Sequence, residues 1–446
     1  MRYNNWCYNI TSEEKIMKNK KIILSFLVMT TMAKGASIDH IMNYTPEYNA
    51  NPALQGAINS TSTVNYNPAG LMRLENGLYF NGGLQLGIGK YKVGYSGKDH
   101  STDLLSATGS FSVFKKYDKY ALYLTFGGLA GGAAVDYKSG ISTYTMMENT
   151  LNGQFPGSRI NFSSATGENR YLQTTIGAAF NITPKLSGSI AGRVVRGKRD
   201  FTGKVEGSIP VLPAPFPKLP IRAEIDAERE AYGFGIQLGL NYLVTEKLNV
   251  GLRYDSKVKL NFKTDSSSVS SLGKKPIAGN NLFGQFYPEY INGSKYRRDL
   301  PALLALGAQY KVTDSWNLYS GVTYYFNKSA NIDEAVKEKV KIGEGASRVY
   351  NDGYEIAIGS ELQISEKISW LAGINYSVTG ASTENYHDSE YALDSIMLGT
   401  GIKYTATQKL TLIGSVSHYF YLPESSNGHD YKKRMTAVGV GITYKL

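Results

Sequence analysis

The sequence predicts an all-β protein, a transmembrane antiparallel β-barrel of about 14 strands, and three observations carry that prediction. The first is alternation. From Leu248 to Phe262 every even position except Ser256 is apolar or aromatic (Leu248, Val250, Leu252, Tyr254, Val258, Leu260, Phe262), and the odd positions are Asn249, Gly251, Arg253, Asp255, Lys257, Lys259 and Asn261. A period of two puts these sets on opposite faces of a strand, one toward lipid and one toward a polar lumen, whereas no helix separates them. Residues 232–242, 316–326 and 368–378 repeat the pattern, and such runs are roughly twice the length of a strand in a soluble sandwich. The second observation is that tight turns alternate with mostly longer connections along the chain. The third is that, after the first 35 residues, no apolar run approaches the roughly 18 residues of a membrane helix. A chain with 34 Tyr, 47 Gly and a mean hydropathy of -0.27 instead suits strands of which only one face meets lipid.

Taken in order, Met17-Lys18-Asn19-Lys20-Lys21 is a basic stretch, Ile22 to Met32 a short apolar core, and Ala33-Lys34-Gly35-Ala36 supplies small residues for cleavage. Residues 1–35 therefore read as an export signal. Residues 1–16 fit no region of such a signal, so Met17 is a candidate start, an extended basic region being the alternative. The lone Cys7 precedes the apolar core, which leaves the mature chain without thiol, disulfide or lipid-anchor cysteine. Removing residues 1–35 takes away six Lys/Arg and two Asp/Glu and lowers the formal charge of +11 by four. The remainder is a solvated basic surface, or an attraction for anionic head groups or an anionic substrate. Residues 36–76 carry no apolar stripe of either period; alone they read as disordered, and inside a barrel their polar character suits a plug.

Residues 77–446 read as the barrel. Its tight connections fall at 117–119, 182–186, 244–248, 312–316, 364–368 and 406–410, and five of them share an apolar or small residue, Thr or Ser, two mostly polar residues and a large apolar one. The other connections, around 138–167, 207–223, 265–297 and 329–349, with shorter ones near 96–100, 384–389 and 423–431, alternate strictly with them. That order is expected when every second turn faces the periplasm and the rest face outward, and an even strand count leaves both ends on the periplasmic side.

Thr61 to Leu74 departs from all of this, with turn chemistry and no period: Pro68 pushes Asn67 out of the helical region and Gly70 is free to take a positive φ. The stretch resembles the N-terminal hatch of the FadL-type outer-membrane transporters, whose Asn-Pro-Ala-Gly-Leu signature is matched by Asn67, Pro68, Ala69, Gly70 and Leu71; Asn51-Pro52-Ala53 is a second, weaker match. The terminal Gly441-Ile442-Thr443-Tyr444-Lys445-Leu446 resembles the assembly signal of outer-membrane barrels, with Leu446 in place of the usual Phe. The segments 300–307 and 351–356 also look like strand starts of this family. The resemblance implies an N-terminal hatch over residues 36–76 inside the lumen, a monomer, a place in the outer membrane of a Gram-negative-type envelope, and passive transport of hydrophobic small molecules. Long-chain fatty acids are the leading cargo and aromatic hydrocarbons the second.

Two places break the alternation. Tyr120, Leu122, Leu124 and Phe126 form a lipid face, but four glycines follow, Gly127, Gly128, Gly131 and Gly132, which weaken strand pairing and permit a bend or bulge. The family's third strand carries an inward kink that opens the wall sideways, and these glycines fall where that kink is expected; a twisted strand making room for the plug is the plainer reading. In the outer loops, 209–220 is proline-stiffened yet apolar and 281–291 is aromatic. The resemblance implies a greasy capture groove with Phe216, Phe283, Phe286 and Tyr287 as candidates for its lining, against simple packing of the loops on one another.

Arg193, Arg253, Lys257 and Glu361 are expected in the lumen, where a cation can hold a carboxylate by a charge-assisted hydrogen bond, or where such groups pair with one another and fix the plug, as with Arg253 and Asp255. Catalysis is not expected: His40, His100, His387, His418 and His429 are scattered, no Gly-x-Ser-x-Gly turn occurs, and no cluster has metal-ligand spacing, so neither metal nor cofactor is predicted. No nucleic-acid motif is present. The rival readings are a surface adhesin or structural barrel that binds ligands through its long outer loops, and an open water-filled porin.

Overall fold

In a computed structural model the chain is described over residues 41, 43–131, 134–210, 217–276, 281–284, 287–335, 350–383, 386 and 390–446; the export signal lies outside the described residues. Among them 14 strands close into one antiparallel barrel. They are β1 (Gly77–Tyr95), β2 (Lys98–Lys116), β3 (Tyr120–Ala130), β4 (Arg159–Asn181), β5 (Leu186–Ile209), β6 (Leu219–Leu243) and β7 (Leu248–Asp255). After them come β8 (Leu303–Thr313), β9 (Trp316–Tyr325), β10 (Gly353–Gln363), β11 (Ile368–Val378), β12 (Ser395–Thr405), β13 (Leu410–Tyr421) and β14 (His429–Lys445). Each pairs with its sequence neighbour, and β14 returns to β1 from Lys445 opposite Tyr79 to His429 opposite Tyr95, so no edge is left open. No described helix is long and apolar enough to cross a membrane.

The periodicity explains the wall. On β6, Tyr232, Phe234, Ile236, Leu238, Leu240 and Tyr242 are exposed on the outside, whereas Ala231, Gln237 and Asn241 are buried on the inside. Above this belt the same outward face becomes Glu230, Glu228, Asp226 and Glu224. A barrel strand needs only about 9–11 residues to cross the membrane, while β4, β5 and β6 have 23, 24 and 25, so their upper halves stand clear of it. The tight turns close as the Thr/Ser pattern demands: Thr183, Thr245 and Thr407 each accept the amides two and three residues on, at 3.0–3.3 Å, which satisfies turn donors that no strand can reach.

Alternation fails in one place that the sequence marks. β7 ends at Asp255, and Ser256 bulges out, its amide bonded to the Ile236 carbonyl and its hydroxyl accepting the Ile236 amide at 2.8 Å. The phase then reverses. Val258, Leu260 and Phe262, expected in lipid, are buried inside against Leu129, Tyr171 and Val195, and Lys259 and Asn261 face out. One extra residue is sufficient, because the side-chain period is two.

The lumen is filled by the residues before β1. They form helix α1 (Pro46–Ala50), a 3-10 turn (Leu54–Gly56), helix α2 (Thr63–Tyr66) and a second 3-10 turn (Pro68–Arg73). α1 lies against β11 to β14 and β1, the first 3-10 turn against β7 to β9, and the second against β3 to β6.

Candidate functional site

The plug is held by side chains of the wall that reach its backbone. Asn249 donates to the Gly56 carbonyl at 2.7 Å, Ser187 to that of Ala69 at 2.7 Å, and Arg253 to those of Asn65 and Tyr66 at 3.1 and 2.8 Å. These bonds satisfy short helical pieces that would otherwise bury unpaired groups. The predicted motif sits at their centre. Asn67 caps the second 3-10 turn, its Oδ1 accepting the Ala69 amide at 3.3 Å, and its Nδ2 donates to the Leu240 carbonyl of β6 at 2.8 Å. Gly70 does not take the positive φ that its type allows; it lies inside that turn, where a Cβ would come within 2.7 Å of the Thr63 methyl.

Asn51-Pro52-Ala53 proves to be the same device. Asn51 has φ -148 and ψ 102 against -152 and 94 for Asn67, and its Oδ1 accepts the Ala53 amide at 3.0 Å. Both asparagines fit where wall strands lack side chains. A Cβ at Gly251 would lie 2.7 Å from Asn67 Nδ2 and 2.5 Å from the Gln55 carbonyl oxygen, and one at Gly239 2.6 Å from Asn67 Oδ1. Gly359 and Gly373, directly opposite each other on β10 and β11, leave the corresponding space for Asn51 and Pro52. Sequence reasoning missed these slots; their signal was a glycine on the polar face of successive strands.

The wall is interrupted at the predicted glycines. β2 and β3 pair from Lys116 opposite Ala121 up to Ser110 opposite Gly127 and then part. Their next pairs are Leu105 with Ala134 and Leu104 with Val135, in the short strand Ala134–Tyr137. Residues 106–109 thus face a longer stretch between Gly127 and Ala134, with a bulge at Leu129 on the β4 side and Gly131 at φ +126. Within the interval, the buried hydroxyls of Ser106 and Thr108 have no hydrogen-bond partner among the described residues. Gly132 lies outside the described residues.

A cavity of about 100 Å³ adjoins this interval, with Gly127, Gly128 and Leu129 on one side and Ile41, Tyr44 and Tyr48 of the plug on the other. The ring of Tyr44 lies 3.6 Å from where a Gly128 Cβ would stand.

The expected lumen charges are engaged. Arg193 pairs with Asp255 at 3.4 Å, both buried, and donates to Gln173 at 2.8 Å; Arg253 shares Asp255 at 3.7 Å while holding the plug. Glu361 pairs with Lys403 and accepts the Tyr319 hydroxyl at 3.2 Å. Lys257 does not line the lumen: it lies beyond the Ser256 bulge and donates to the Ser329 carbonyl at 2.6 Å.

Among the described candidates for the capture groove, Phe283 and Tyr287 do not lie in the open. Phe283 and Tyr287 are buried in a cap above the lumen, with Phe283 edge-on to Tyr144 at 6.3 Å and Tyr287 4.9 Å from Phe201. Apolar rings at loop length can be covered as well as exposed, and here α3 (Ser142–Gln154) and β5 cover them. Phe216 and Phe286 lie outside the described residues.

Residues 50–438 match the family described as outer membrane protein transport protein (OMPP1/FadL/TodX). The chain belongs to this family. Its curated relatives include a putative outer membrane protein of Neisseria meningitidis, 23% identical over 51% of this chain and 54% of that one. Another is outer membrane protein P1 of Haemophilus influenzae, 28% identical over 33% of this chain and 30% of that one. The matched region thus spans about half or less of these relatives' length. Among solved structures, a Pseudomonas aeruginosa FadL homologue superposes with a TM-score of 0.61 at 13% identity, covering 89% of this chain and 98% of that one. The Pseudomonas putida toluene transporter TodX superposes with a TM-score of 0.59 at 16% identity, covering 94% and 99%. At these identities the likeness shows the fold, and family membership places the barrel in the Gram-negative outer membrane.

Proposed function

We propose that this OmpP1/FadL/TodX family barrel passes hydrophobic small molecules through the outer membrane by diffusion, long-chain fatty acids first among them. Cargo enters through the aromatic cap, crosses the space beside the plug and leaves sideways into lipid between β2 and β3. The observation that carries this reading is the cavity adjoining the unpaired interval at Gly127 and Gly128. A route through the lumen axis meets the plug, whereas an exit through the wall passes, among the described residues, the Tyr44 ring and the hydroxyls of Ser106 and Thr108.

The test is uptake of a radiolabelled long-chain fatty acid, and separately of labelled toluene, by cells carrying the intact protein or the variant Gly127→Val/Gly128→Val. Folding is checked first by heat-modifiable gel mobility. Uptake by the intact protein and its loss in the folded variant is the expected result. Equal uptake by both refutes the lateral exit, and uptake of toluene alone moves the cargo to monoaromatic compounds. The surface-binding alternative is favoured by one observation, the β4–β6 wall standing above the lipid belt. It predicts no uptake of either compound with folding intact.

A further inference from the structure

The outer face of the barrel carries an arrangement that transport does not use. On β1, Leu84, Leu86 and Ile88 point into lipid, and the next outward residues up the strand are Lys90 and Lys92. On β14, Val438 and Val440 point into lipid, and the outward residues above them include Arg434 and Lys432. Lys90 stands directly opposite Arg434, and Lys92 directly opposite Lys432. Like charges in register across two strands are destabilising. The β4–β6 face at the same side of the belt is built the other way, with Lys198 at 2.7 Å from Glu228, Arg170 at 3.3 Å from Asp200, and Arg196 on Glu230. On the β1–β14 seam the acids of β2 engage only β1, with Asp99 at 2.7 Å from Lys92 and Asp103 at 3.9 Å from Lys90. Among the described residues Lys432 and Arg434 have no ion-pair partner.

A depression of about 590 Å³ lies at this seam, lined by Ile88, Asp103, Leu105, His418, Arg434 and Thr436 among others, with Lys432 the next outward residue above Arg434. Its lower side is apolar, with Ile88 and Leu105 55% and 65% exposed. Its upper side carries Arg434, with Asp103 on the β2 flank turned to Lys90 at 3.9 Å. His418 Nδ1 is tied to the Thr436 hydroxyl at 2.8 Å, which fixes the ring with Nε2 as its remaining polar atom. Apolar below and cationic above, at the upper border of the lipid belt, is the order of groups in a lipid standing in the outer leaflet. A negative group between Arg434 and Lys432 also removes the repulsion that the register creates.

We propose that this seam is a binding site for a phosphorylated lipid of the outer leaflet. The phosphate sits between Arg434 and Lys432 beside His418, and an acyl chain lies on Ile88 and Leu105. Arg434, Lys432, Ile88 and Leu105 lie on the lipid-facing surface and not in the lumen, and Leu105 borders the upper end of the β2–β3 interval.

The test uses the full-length protein purified in detergent, native mass spectrometry and bisphosphorylated lipid A as the probe, with dephosphorylated lipid A and inorganic phosphate as comparisons. The expected result is retention of the phosphorylated lipid by the intact protein and roughly tenfold or greater weakening in Lys432→Ala/Arg434→Ala, given two lost charge-assisted contacts. Arg196→Ala/Lys198→Ala, on the paired face, is expected to bind as the intact protein does. Equal binding by the seam variant, equal binding of the dephosphorylated lipid, or displacement by millimolar inorganic phosphate overturns the proposal. Because the substituted side chains are exposed, heat-modifiable mobility is expected to be unchanged, and it is checked for every variant.

Discussion

Replacing Asn67 by alanine tests whether the plug is fixed chiefly by the two asparagine caps. The substitution removes the cap on the turn Pro68–Arg73, which is worth about 1 kcal/mol, and takes from the Leu240 carbonyl the 2.8 Å donor it has in addition to its ladder bond to β7. Losing such a hydrogen bond costs about 0.5–1.5 kcal/mol. Together these predict a loss of about 1.5–2.5 kcal/mol in the local stability of the plug, with the barrel strands unaffected because no strand-to-strand bond is touched. The assay is hydrogen exchange of the Pro46–Arg73 amides by mass spectrometry in detergent. At about 1.4 kcal/mol per factor of ten, protection is expected to fall by roughly tenfold or more. Asn67→Ser keeps a capping oxygen but cannot reach Leu240, so it is expected to recover about 1 kcal/mol of the loss. Protection within twofold of the intact protein in Asn67→Ala refutes the argument, and equal loss in both variants assigns the whole effect to the wall contact.

Gly251→Val places side-chain atoms where Asn67 Nδ2 and the Gln55 carbonyl now stand, so it is expected to leave the barrel assembled but raise its ion conductance in planar bilayers; Gly192→Val, with nothing within 4 Å of its Cβ, is expected to leave conductance unchanged. Glu47 lies in the plug, and burial pushes its carboxyl from the usual 4.5 up to about 7, against hydrogen bonds from its own backbone and Thr45 and the charge of Lys403. The docked plug therefore holds this proton more tightly than the released one, so docking is strongest below about pH 4.5 and weakens as pH rises to about 7, by up to about 3 kcal/mol; exchange corrected for intrinsic rates is expected to follow that course and to flatten in Glu47→Gln. Arg193→Met leaves buried Asp255 with only Arg253 among its two arginine partners, and a loss of about 3 kcal/mol is expected in the urea midpoint of the refoldable barrel, with an unchanged midpoint counting against the pair.

The wall was legible because lipid on one side and polar contacts on the other impose a period of two on each strand, and because Thr183, Thr245 and Thr407 close their turns by local bonds. Local chemistry is what a sequence displays. The phase change at Ser256 was visible as a polar residue in an apolar row, but only the closure of its hydroxyl on Ile236 makes it a bulge. The site was legible in part. Asn67 and the glycines of β3 carried a signal, whereas the partners of Arg193, Glu361 and Phe283 lie on β7, β12 and α3, far away in sequence. Phe283 and Tyr287 looked equally like a capture surface and a covered core for that reason. Asn51 looked the weaker copy of the motif because its third residue is not followed by Gly-Leu, yet its backbone angles are close to those of Asn67 and its Oδ1 likewise accepts the amide two residues on.

Anchor and exit occupy different parts of the plug. Asn51 and Asn67 are clamped between glycines of β10, β11, β6 and β7, whereas the residue facing the β2–β3 interval is Tyr44, ahead of α1. The cavity of about 100 Å³ is smaller than the ~150 Å³ that accommodates one benzene molecule in an apolar protein cavity. A long acyl chain therefore cannot be held there without displacement of the plug. Lifting Asn67 would break a cap and a wall bond together, at a cost of about 1.5–2.5 kcal/mol, while a movement of Tyr44 leaves both in place. A barrel that releases cargo through this interval can thus widen its exit at the start of the plug and keep the rest seated.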